Sequence, residues 1–365
     1  MSFLLLILLL TTTVYAAKVF KWRNIWQSSK DTENRPTTQQ PFLSVVVAAK
    51  NESGQIAKLI HSLQNQKLKS DCFEVILVND HSTDQTAEII ESAIRTLPHF
   101  RLINSVLPGK KAALRQGISI AKGEIIVTTD ADCIHHEQWL SSMANYQSTH
   151  NTDLIIAPVS MVAQKGFLQH LFELEFLALQ LTTAASALNG QPIMCNAANM
   201  AIRKSHYGQT NLKDEYASGD DMFLLIHLKK ENANIRFLKN NHALVTTSVP
   251  STFIAYLKQR SRWLRKASGY SQTNIHTTAV IMLAGNLAWP AAILIGLATL
   301  NAAWITVALI LFAIKYTADY HLLKSGEEFF NIRTYLRHVL ALSILYPLMI
   351  VSIGVTTLLK NKKKW

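Results

Sequence analysis

Cysteine and charged side chains are scarce in this sequence of 365 residues, which contains three cysteines and only 16% charged residues. Cys72, Cys133 and Cys195 are scattered and form no Cys-x-x-Cys pair, so a disulfide framework and a structural zinc site of the usual spacing are excluded. Such a set fits a reduced compartment. The share of hydrophobic residues, 49%, exceeds that of a typical soluble domain and indicates one large domain with membrane segments.

No Asp, Glu, Lys or Arg occurs in the apolar stretches 1–17, 267–314 and 339–359. Roughly 20 apolar residues suffice to cross a bilayer, so each stretch is a candidate for the membrane. The longest one accommodates a hairpin of two helices with Asn301 near its bend. The sequence therefore predicts a membrane anchor at 1–20. In the C-terminal part, 271–365, it predicts three membrane segments at about 277–298, 301–318 and 339–359.

The charges around the first stretch predict an uncleaved anchor. A cleaved signal peptide carries its positive charge before the apolar run, but here Lys18, Lys21 and Arg23 follow it. Positive residues mark the cytoplasmic side of a membrane. We therefore expect a multi-pass protein of the bacterial inner membrane type with its large domain in the cytoplasm. The side reached by the C-terminus stays open.

The net charge of +12 does not by itself indicate nucleic acid. Basic residues are concentrated at the borders of the apolar stretches, where they bind anionic headgroups. The group just before residue 267 consists of Lys258, Arg260, Arg262, Arg265 and Lys266. No nucleic-acid motif accompanies them, so the predicted partner is a membrane and not nucleic acid.

Strand and helix patterns alternate within residues 42–250, which follow a polar linker at 21–41. Buried strands are predicted at Leu43–Ala49, Phe73–Val78, Ile125–Thr129 and Leu154–Ala157. Helices are predicted at Ile56–Leu63, Ala87–Ile94, Ala112–Ala121 and Met222–Leu228. This alternation predicts an α/β domain whose parallel sheet is covered by helices on both faces. Ligands of such sheets bind at the carboxyl ends of the strands.

Acidic residues stand directly after two of these strands. Asp80 follows the second strand, and Asp130 and Asp132 follow the third, so all three should face one crevice. In an extended stretch residues i and i+2 point the same way, so Asp130 and Asp132 can converge on Mg²⁺ or Mn²⁺ that also holds a diphosphate. Asp80 taken alone is better explained by turn chemistry. We expect His135 and His136 at a solvated helix start.

Two further motifs offer phosphate and proton chemistry. Residues 108–111 (PGKK) precede a helix and supply backbone and ammonium donors, although their spacing is not that of a P-loop. A turn with solvated lysines is the alternative. Residues 218–221 (SGDD) open another helix, where Ser218 and Asp221 fit a capping pattern. Asp221 is also a candidate general base for an acceptor hydroxyl, and the two interpretations are compatible.

Gln259, Arg262 and Trp263 form a Gln-x-x-Arg-Trp motif on a predicted helix at 251–270. Positions i, i+3 and i+4 share a helix face, so the Gln259 amide, the Arg262 guanidinium group and the Trp263 indole ring can contact the same phosphate or sugar ring. The helix is predicted to be amphipathic and to lie along the membrane, with Arg260 inside its apolar arc. Ordinary interfacial residues would explain the motif equally well in isolation.

Together these motifs resemble the family 2 glycosyltransferases with a GT-A fold, particularly membrane-attached members, over residues 43–263. Residues 44–52 (SVVVAAKNE), 78–84 (VNDHSTD) and 109–117 (GKKAALRQG) look like the family's donor loop, Val-Asp-Asp-Gly-Ser-Thr-Asp motif and Gly-Lys motif. Asp130–Asp132, Asp220–Asp221 and Gln259–Trp263 match its metal, base and Gln-x-x-Arg-Trp motifs. Asn79, His81 and Arg115 depart from the family pattern and leave the donor's identity open.

The resemblance implies an inverting enzyme that moves sugar from a UDP- or GDP-sugar to a lipid-linked or glycan acceptor at the cytoplasmic membrane face. It implies Asp221 as the catalytic base and Asp132 with Asp130 as ligands of Mg²⁺ or Mn²⁺. The implied donor-binding residues are Ala49, Glu52, Asp80, Lys110, Asp130, Gln259, Arg262 and Trp263. A processive polysaccharide synthase would share these motifs, and a non-catalytic membrane scaffold would retain the fold without turnover.

Overall fold

The structure is a computed structural model that describes residues 2–32, 40–164, 166–210 and 219–359. Most of the predicted linker after residue 32, the predicted cap Ser218 and the lysines after residue 359 lie outside the described residues. The chain divides into two compact units, each described by itself. Among the described residues, the helical unit comprises those within Met1–Ser29, Ala163–Ser186 and Val249–Lys360, and the sheet unit comprises those within Lys30–Val162 and Ala187–Ser248.

The strands are β1 (Leu43–Ala49), β2 (Phe73–Asn79), β3 (Phe100–Asn104), β4 (Ile125–Thr128), β5 (Ile134–His135), β6 (Leu154–Ile156), β7 (Val159–Val162), β8 (Met200–Arg203), β9 (Ile235–Phe237) and β10 (Val245–Ser248). The helices are α1 (Ser2–Ser28), α2 (Ile56–Gln64), α3 (Thr86–Ile94), α4 (Lys110–Ile120), α5 (Trp139–His150), α6 (Phe167–Leu188), α7 (Lys204–Gln209), α8 (Asp220–Lys230), α9 (Phe253–Lys266), α10 (Thr273–Thr299), α11 (Ala303–Phe330) and α12 (Leu336–Leu359). The strands and helices predicted within residues 42–250 agree with these bounds to about two residues at either end.

A seven-stranded sheet in the order β3-β2-β1-β4-β8-β6-β9 forms the centre of the sheet unit. β1 is parallel to β2 and β4, and β2 is parallel to β3. β8 runs antiparallel to both of its neighbours, β4 and β6, so the prediction of a purely parallel sheet is wrong. The reason is that an apolar run records burial but not direction, which the path of the chain between strands decides.

In the core of the sheet unit, strands rich in β-branched residues pack against a small residue on a helix. β1 is rich in valine, and Val45, Val46 and Val47 have no solvent exposure, as expected of a strand covered on both faces. A Cβ atom on Gly117 of α4 would lie 2.6 Å from a methyl group of Val46 and 2.9 Å from one of Val78. This close packing places the first residue of α4 near the carboxyl ends of β1 and β2.

Five helices among the described residues are long and apolar enough to cross a membrane: α1, α6, α10, α11 and α12. α1 continues to Ser28, so residues 21–28 are helical and the predicted linker begins too early. α11 continues to Phe330, beyond the predicted end at 318. α6 was not predicted as a candidate, because Glu173 and Glu175 interrupt its apolar pattern. Asn301 lies between α10 and α11, at the expected bend.

A polar cluster inside the helical unit explains why α11 extends past its first charge. The Tyr15 hydroxyl donates to Asp319 Oδ1 at 2.5 Å, and Lys315 Nζ donates to Asp319 Oδ2 at 2.5 Å. Lys315 is 1% exposed. Because the carboxylate neutralises the ammonium group, the pair is compatible with a buried helix position where a lone lysine would not be.

Replacing Asp319 by leucine is expected to destabilise the helical unit by about 3–5 kcal/mol, since it leaves the buried Lys315 charge uncompensated. The thermal unfolding midpoint in detergent measures the effect. The double variant Lys315→Met/Asp319→Leu removes both charges and should recover most of the loss. Equal midpoints for the single and double variants would contradict the role of the ion pair.

Candidate active site

The carboxyl ends of the parallel strands bring the predicted acidic residues to one edge of the sheet. β1 ends before Glu52, β2 before Asp80, and β4 before Asp130 and Asp132. The Asp80 N–H donates to the Ala49 carbonyl oxygen at 2.8 Å, which joins the loops after β1 and β2. The sheet unit therefore assembles the residues whose convergence the strand pattern predicts.

Asp80 is buried and holds the loop that precedes α4. Its Oδ1 accepts a hydrogen bond from the Gly109 N–H at 2.8 Å. Gly109 has a φ of +112°, in the left-handed region that glycine adopts without strain. Within the described ranges no hydrogen-bond donor reaches Asp80 Oδ2, and Lys50 Nζ lies 3.9 Å from it. This oxygen is buried, and its capacity to accept a hydrogen bond is unused within those ranges.

Lys110 is the first residue of α4 and pairs with the metal motif. Its Nζ donates to Asp130 Oδ1 at 2.5 Å. Burial alone would lower the pKa of Lys110, but the carboxylates of Asp130, Asp220 and Asp221 raise it above its usual range. Lys110 therefore stays protonated and supplies a fixed positive charge beside Asp130, as binding of a diphosphate requires.

Glu52 and Asp132 lie in a field of like charge. Burial and then the carboxylates of Asp132 and Asp130 raise the pKa of Glu52 to about 7. Burial and Asp130 likewise raise the pKa of Asp132, although Thr247 Oγ1 donates to Asp132 Oδ2 at 2.9 Å. Carboxylates that repel one another in this way favour a divalent cation, which relieves the repulsion.

The donor set fits Mg²⁺ or Mn²⁺ held partly by substrate. Among the residues that the structure describes, no group of three or more His, Cys, Asp or Glu side chains is arranged to hold a metal. Mg²⁺ is usually bound through one or two carboxylates together with substrate phosphates and water. Asp130 and Asp132 provide that kind of incomplete site.

The raised pKa of Glu52 predicts a pH-dependent stability of the metal-free protein. Between about pH 4.5 and 7 the folded protein holds a proton on Glu52 that the unfolded chain has released, so stability should fall as pH rises through this window. The contribution is smaller than about 3 kcal/mol, because solvent screens this partly exposed carboxylate. Glu52→Gln should raise the unfolding midpoint at pH 8 and flatten its change between pH 5 and 8. An unaltered pH profile would contradict this assignment.

Asp221 lies in the first turn of α8, which begins at Asp220 after Gly219 with a φ of +102°. Its Oδ1 accepts a hydrogen bond from the Met222 N–H at 2.7 Å, and its Oδ2 accepts one from the Ala197 N–H at 3.5 Å. The side chain is half-buried. These backbone donors orient the carboxylate, and its effect on the pKa of Lys110 places it in the same electrostatic environment.

His135 does not lie at a solvated helix start, so that prediction is wrong for this residue. It belongs to β5 and is buried, with its ring nitrogens 3.1 Å from Ser62 Oγ and 2.8 Å from Thr129 Oγ1. Burial lowers the pKa of His135 to about 3. His136 is exposed just before α5, where its Nδ1 accepts from the Gln138 N–H at 3.1 Å.

Gln259, Arg262 and Trp263 belong to the helical unit and lie on α9, which Thr252 caps by accepting a hydrogen bond from the Ala255 N–H at 3.2 Å. Their role in donor binding stays a prediction. The buried face of this helix coincides only in part with the predicted apolar arc: Arg260 and Leu264 both lie in that arc, but Arg260 is 5% exposed and Leu264 is 45% exposed. Arg260 can be buried because it has a carboxylate partner, Glu175.

Sequence reasoning missed residues that support the predicted ones. Thr247 on β10 hydrogen-bonds Asp132 from 115 positions along the chain, and Lys50 lies beside Asp80. No local pattern marks either contact, because pairing across the fold leaves no periodic signal in one sequence.

Comparison with known proteins gives a matching family model for part of the chain and a shared fold. Residues 44–209 match the family model described as glycosyl transferase family 2. Probable glycosyltransferase YdaM of Bacillus subtilis (strain 168) is 24% identical over 232 residues, 62% of this chain and 55% of that protein. Beta-monoglucosyldiacylglycerol synthase of Nostoc sp. (strain PCC 7120) is 37% identical over 95 residues, 25% of this chain and 20% of that protein.

Among solved structures, the mannosyltransferase PcManGT from Pyrobaculum calidifontis, in complex with GDP-Man and Mn²⁺, superposes with a TM-score of 0.61. The match covers 98% of this chain and 99% of that one at 17% identity, which shows a common fold. The predicted GT-A fold is thereby confirmed. The matched regions span about half or less of the length of the two curated relatives named above.

Proposed function

We propose that the chain is a glycosyl transferase of family 2, whose family model matches residues 44–209, and that it transfers a sugar, with inversion, from a nucleoside diphosphate sugar to a lipid-linked or glycan acceptor. The observation that carries this proposal is the convergence of Asp80, Asp130 and Asp132 with Lys110 at one edge of the sheet. A turn residue or a helix cap alone would not require this arrangement.

The donor is held by groups already fixed in place. Asp80 Oδ2 accepts a hydrogen bond from the nucleoside, and the Lys110 ammonium group contacts the diphosphate. Asp130 and Asp132 would hold Mg²⁺ or Mn²⁺, which neutralises charge on the diphosphate when bound. The Glu52 carboxyl group, whose pKa is raised to about 7 by burial and then by Asp132 and Asp130, would release its proton more readily once a cation is bound beside it.

Asp221 acts as the general base. It takes the proton of the acceptor hydroxyl as the acceptor oxygen forms a bond to the anomeric carbon. The bond from that carbon to the diphosphate oxygen breaks, and its electron pair leaves with the diphosphate, where Lys110 stabilises the charge. A single displacement of this kind inverts the anomeric centre. Backbone donation from Met222 and Ala197 supports the role by orienting the carboxylate.

The apolar helices support a membrane location for the whole protein. α1, α10, α11 and α12 expose large aliphatic side chains that a bilayer would cover. We assign the sheet unit to the cytoplasmic side of a membrane of the bacterial inner membrane type, as the basic residues Lys18, Lys21 and Arg23 in the second half of α1 favour. The name of the Nostoc relative, a synthase of beta-monoglucosyldiacylglycerol, supports a lipid as one acceptor class.

The test is turnover of purified full-length protein in detergent across a panel of UDP- and GDP-sugars, with lipid and glycan acceptors. We expect release of nucleoside diphosphate that requires Mg²⁺ or Mn²⁺ and is abolished by chelation, with an inverted anomer in the product. Long products would assign a processive polysaccharide synthase. Absence of turnover with every donor would overturn the proposal and favour a non-catalytic scaffold.

A further inference from the structure

A buried ion pair joins α6 to α9 within the helical unit. Arg260 and Glu175 each have 5% exposed side chains. Arg260 Nε donates to Glu175 Oε1 at 3.2 Å and to Oε2 at 3.1 Å, and Arg260 Nη2 also donates to Oε2. The guanidinium fork thus engages both carboxylate oxygens, a geometry that fixes orientation as well as charge.

The remaining contacts of Arg260 lead to the Gln-x-x-Arg-Trp motif. Arg260 Nη1 donates to Gln259 Oε1 at 2.7 Å. The guanidinium carbon lies 4.3 Å from the ring centroid of Trp263 and 5.0 Å from that of Tyr256, and Phe176 of α6 is 5.8 Å away. One side chain therefore touches two of the three residues of the motif and is itself held by Glu175.

Stability alone is a weak reason for this arrangement. Replacing a buried ion pair by apolar residues of similar size is often neutral or stabilising, and the position of Arg260 on the apolar arc of α9 would suit a leucine. A planar, pre-organised guanidinium does what a leucine cannot: it donates to an amide oxygen while stacking on an indole.

We propose that Glu175 is a positioning residue of the transfer reaction, which acts through Arg260 to fix Gln259 and Trp263 in the orientation that binds substrate. The inference rests on the proposed function and deepens it. Glu175 itself contacts no substrate. The adjacent carboxylate Glu173 makes no such link, because it accepts a hydrogen bond from the Ala163 N–H at 2.9 Å and pairs with His170 at 3.0 Å.

The experiment compares Glu175→Gln with the matched control Glu173→Gln, another buried carboxylate on α6. In full-length protein, Glu175→Gln should lower kcat/KM for transfer at least tenfold by raising KM for the substrate that the motif binds. The Kd for Mn²⁺ alone, measured by electron paramagnetic resonance, should change less than twofold. Glu175→Asp, which keeps the charge, should restore part of the loss, and Glu173→Gln should keep the wild-type KM.

The outcomes separate this inference from the proposed function. A wild-type KM in Glu175→Gln, or an equal loss in Glu173→Gln, overturns the positioning role while transfer itself stands. If Glu175→Gln does not fold, Glu175→Asp and Arg260→Lys carry the test. Arg260→Lys keeps the charge but loses the fork, so a wild-type KM there also overturns the inference. Wild-type protein without any transfer overturns both proposals.

Discussion

Sugar transfer by the variant Asp132→Ala is expected to fall by about 10²–10⁴-fold relative to wild type, since a bound cation supplies several kcal/mol of charge stabilisation. Asp132 carries one of the two carboxylates proposed to hold the cation. Burial and then the Asp130 carboxylate raise the pKa of Asp132, and a cation would relieve the repulsion between the two carboxylates. Steady-state kinetics at saturating Mn²⁺ and donor measure the loss. The Kd for Mn²⁺ should rise in parallel.

Asp71→Asn is the matched control for this experiment. Asp71 is an exposed carboxylate that precedes β2, at the opposite end of the strand from Asp80. Its replacement also removes one negative charge from the sheet unit but leaves the carboxylate cluster intact, so wild-type kinetics are expected. Full activity in Asp132→Ala, or an equal loss in Asp71→Asn, would show that Asp132 does not hold a metal needed for transfer.

The predicted strands and helices of the sheet unit could be placed because buried segments have an apolar local composition. β1 and β2 are apolar except for Ser44 and Glu74, and polar residues stand at or directly after their carboxyl ends. The direction of β8 was not predictable, since the sequence of Met200–Arg203 is equally compatible with parallel and antiparallel pairing to its neighbours. The direction of a strand depends on the path of the whole chain, and a short segment of sequence does not contain that information.

The acidic side of the candidate site was predictable for a geometric reason. Strands that are parallel in a sheet end at the same edge, so residues directly after β2 and β4 meet whatever their separation in sequence. Contacts that depend on side-chain reach were not predictable. Glu175 reaches Arg260 across 85 positions, and the sequence indicates only that an arginine occupies an apolar arc.

The predicted end of the segment 301–318 shows a limit of hydropathy. Lys315 reads as a boundary when charge is counted alone, but its pairing with Asp319 four residues on lets α11 continue to Phe330. The i,i+4 spacing was visible in the sequence and would have suggested an intrahelical pair. The contribution of Tyr15 from α1 was not visible.

The variant Asp221→Asn is expected to lower transfer by about 10²–10⁴-fold while leaving donor binding within twofold of wild type, because general-base catalysis contributes a factor of this size. Asparagine has nearly the same shape, and its carbonyl oxygen can still accept a hydrogen bond from the Met222 N–H, so the first turn of α8 should persist. The measurements are kcat under saturating substrates and the Kd for the nucleoside diphosphate.

Glu231→Gln supplies the control, since Glu231 is the carboxylate at the C-terminal cap of the same helix and pairs with His227 and His206. A lost base and a lost binding contact give opposite patterns. Loss of kcat with unchanged Kd assigns Asp221 to proton transfer, whereas a raised Kd with unchanged kcat would assign it to donor binding. Full activity in Asp221→Asn would refute both roles, and a similar loss in Glu231→Gln would attribute the effect to α8 rather than to the Asp221 carboxylate.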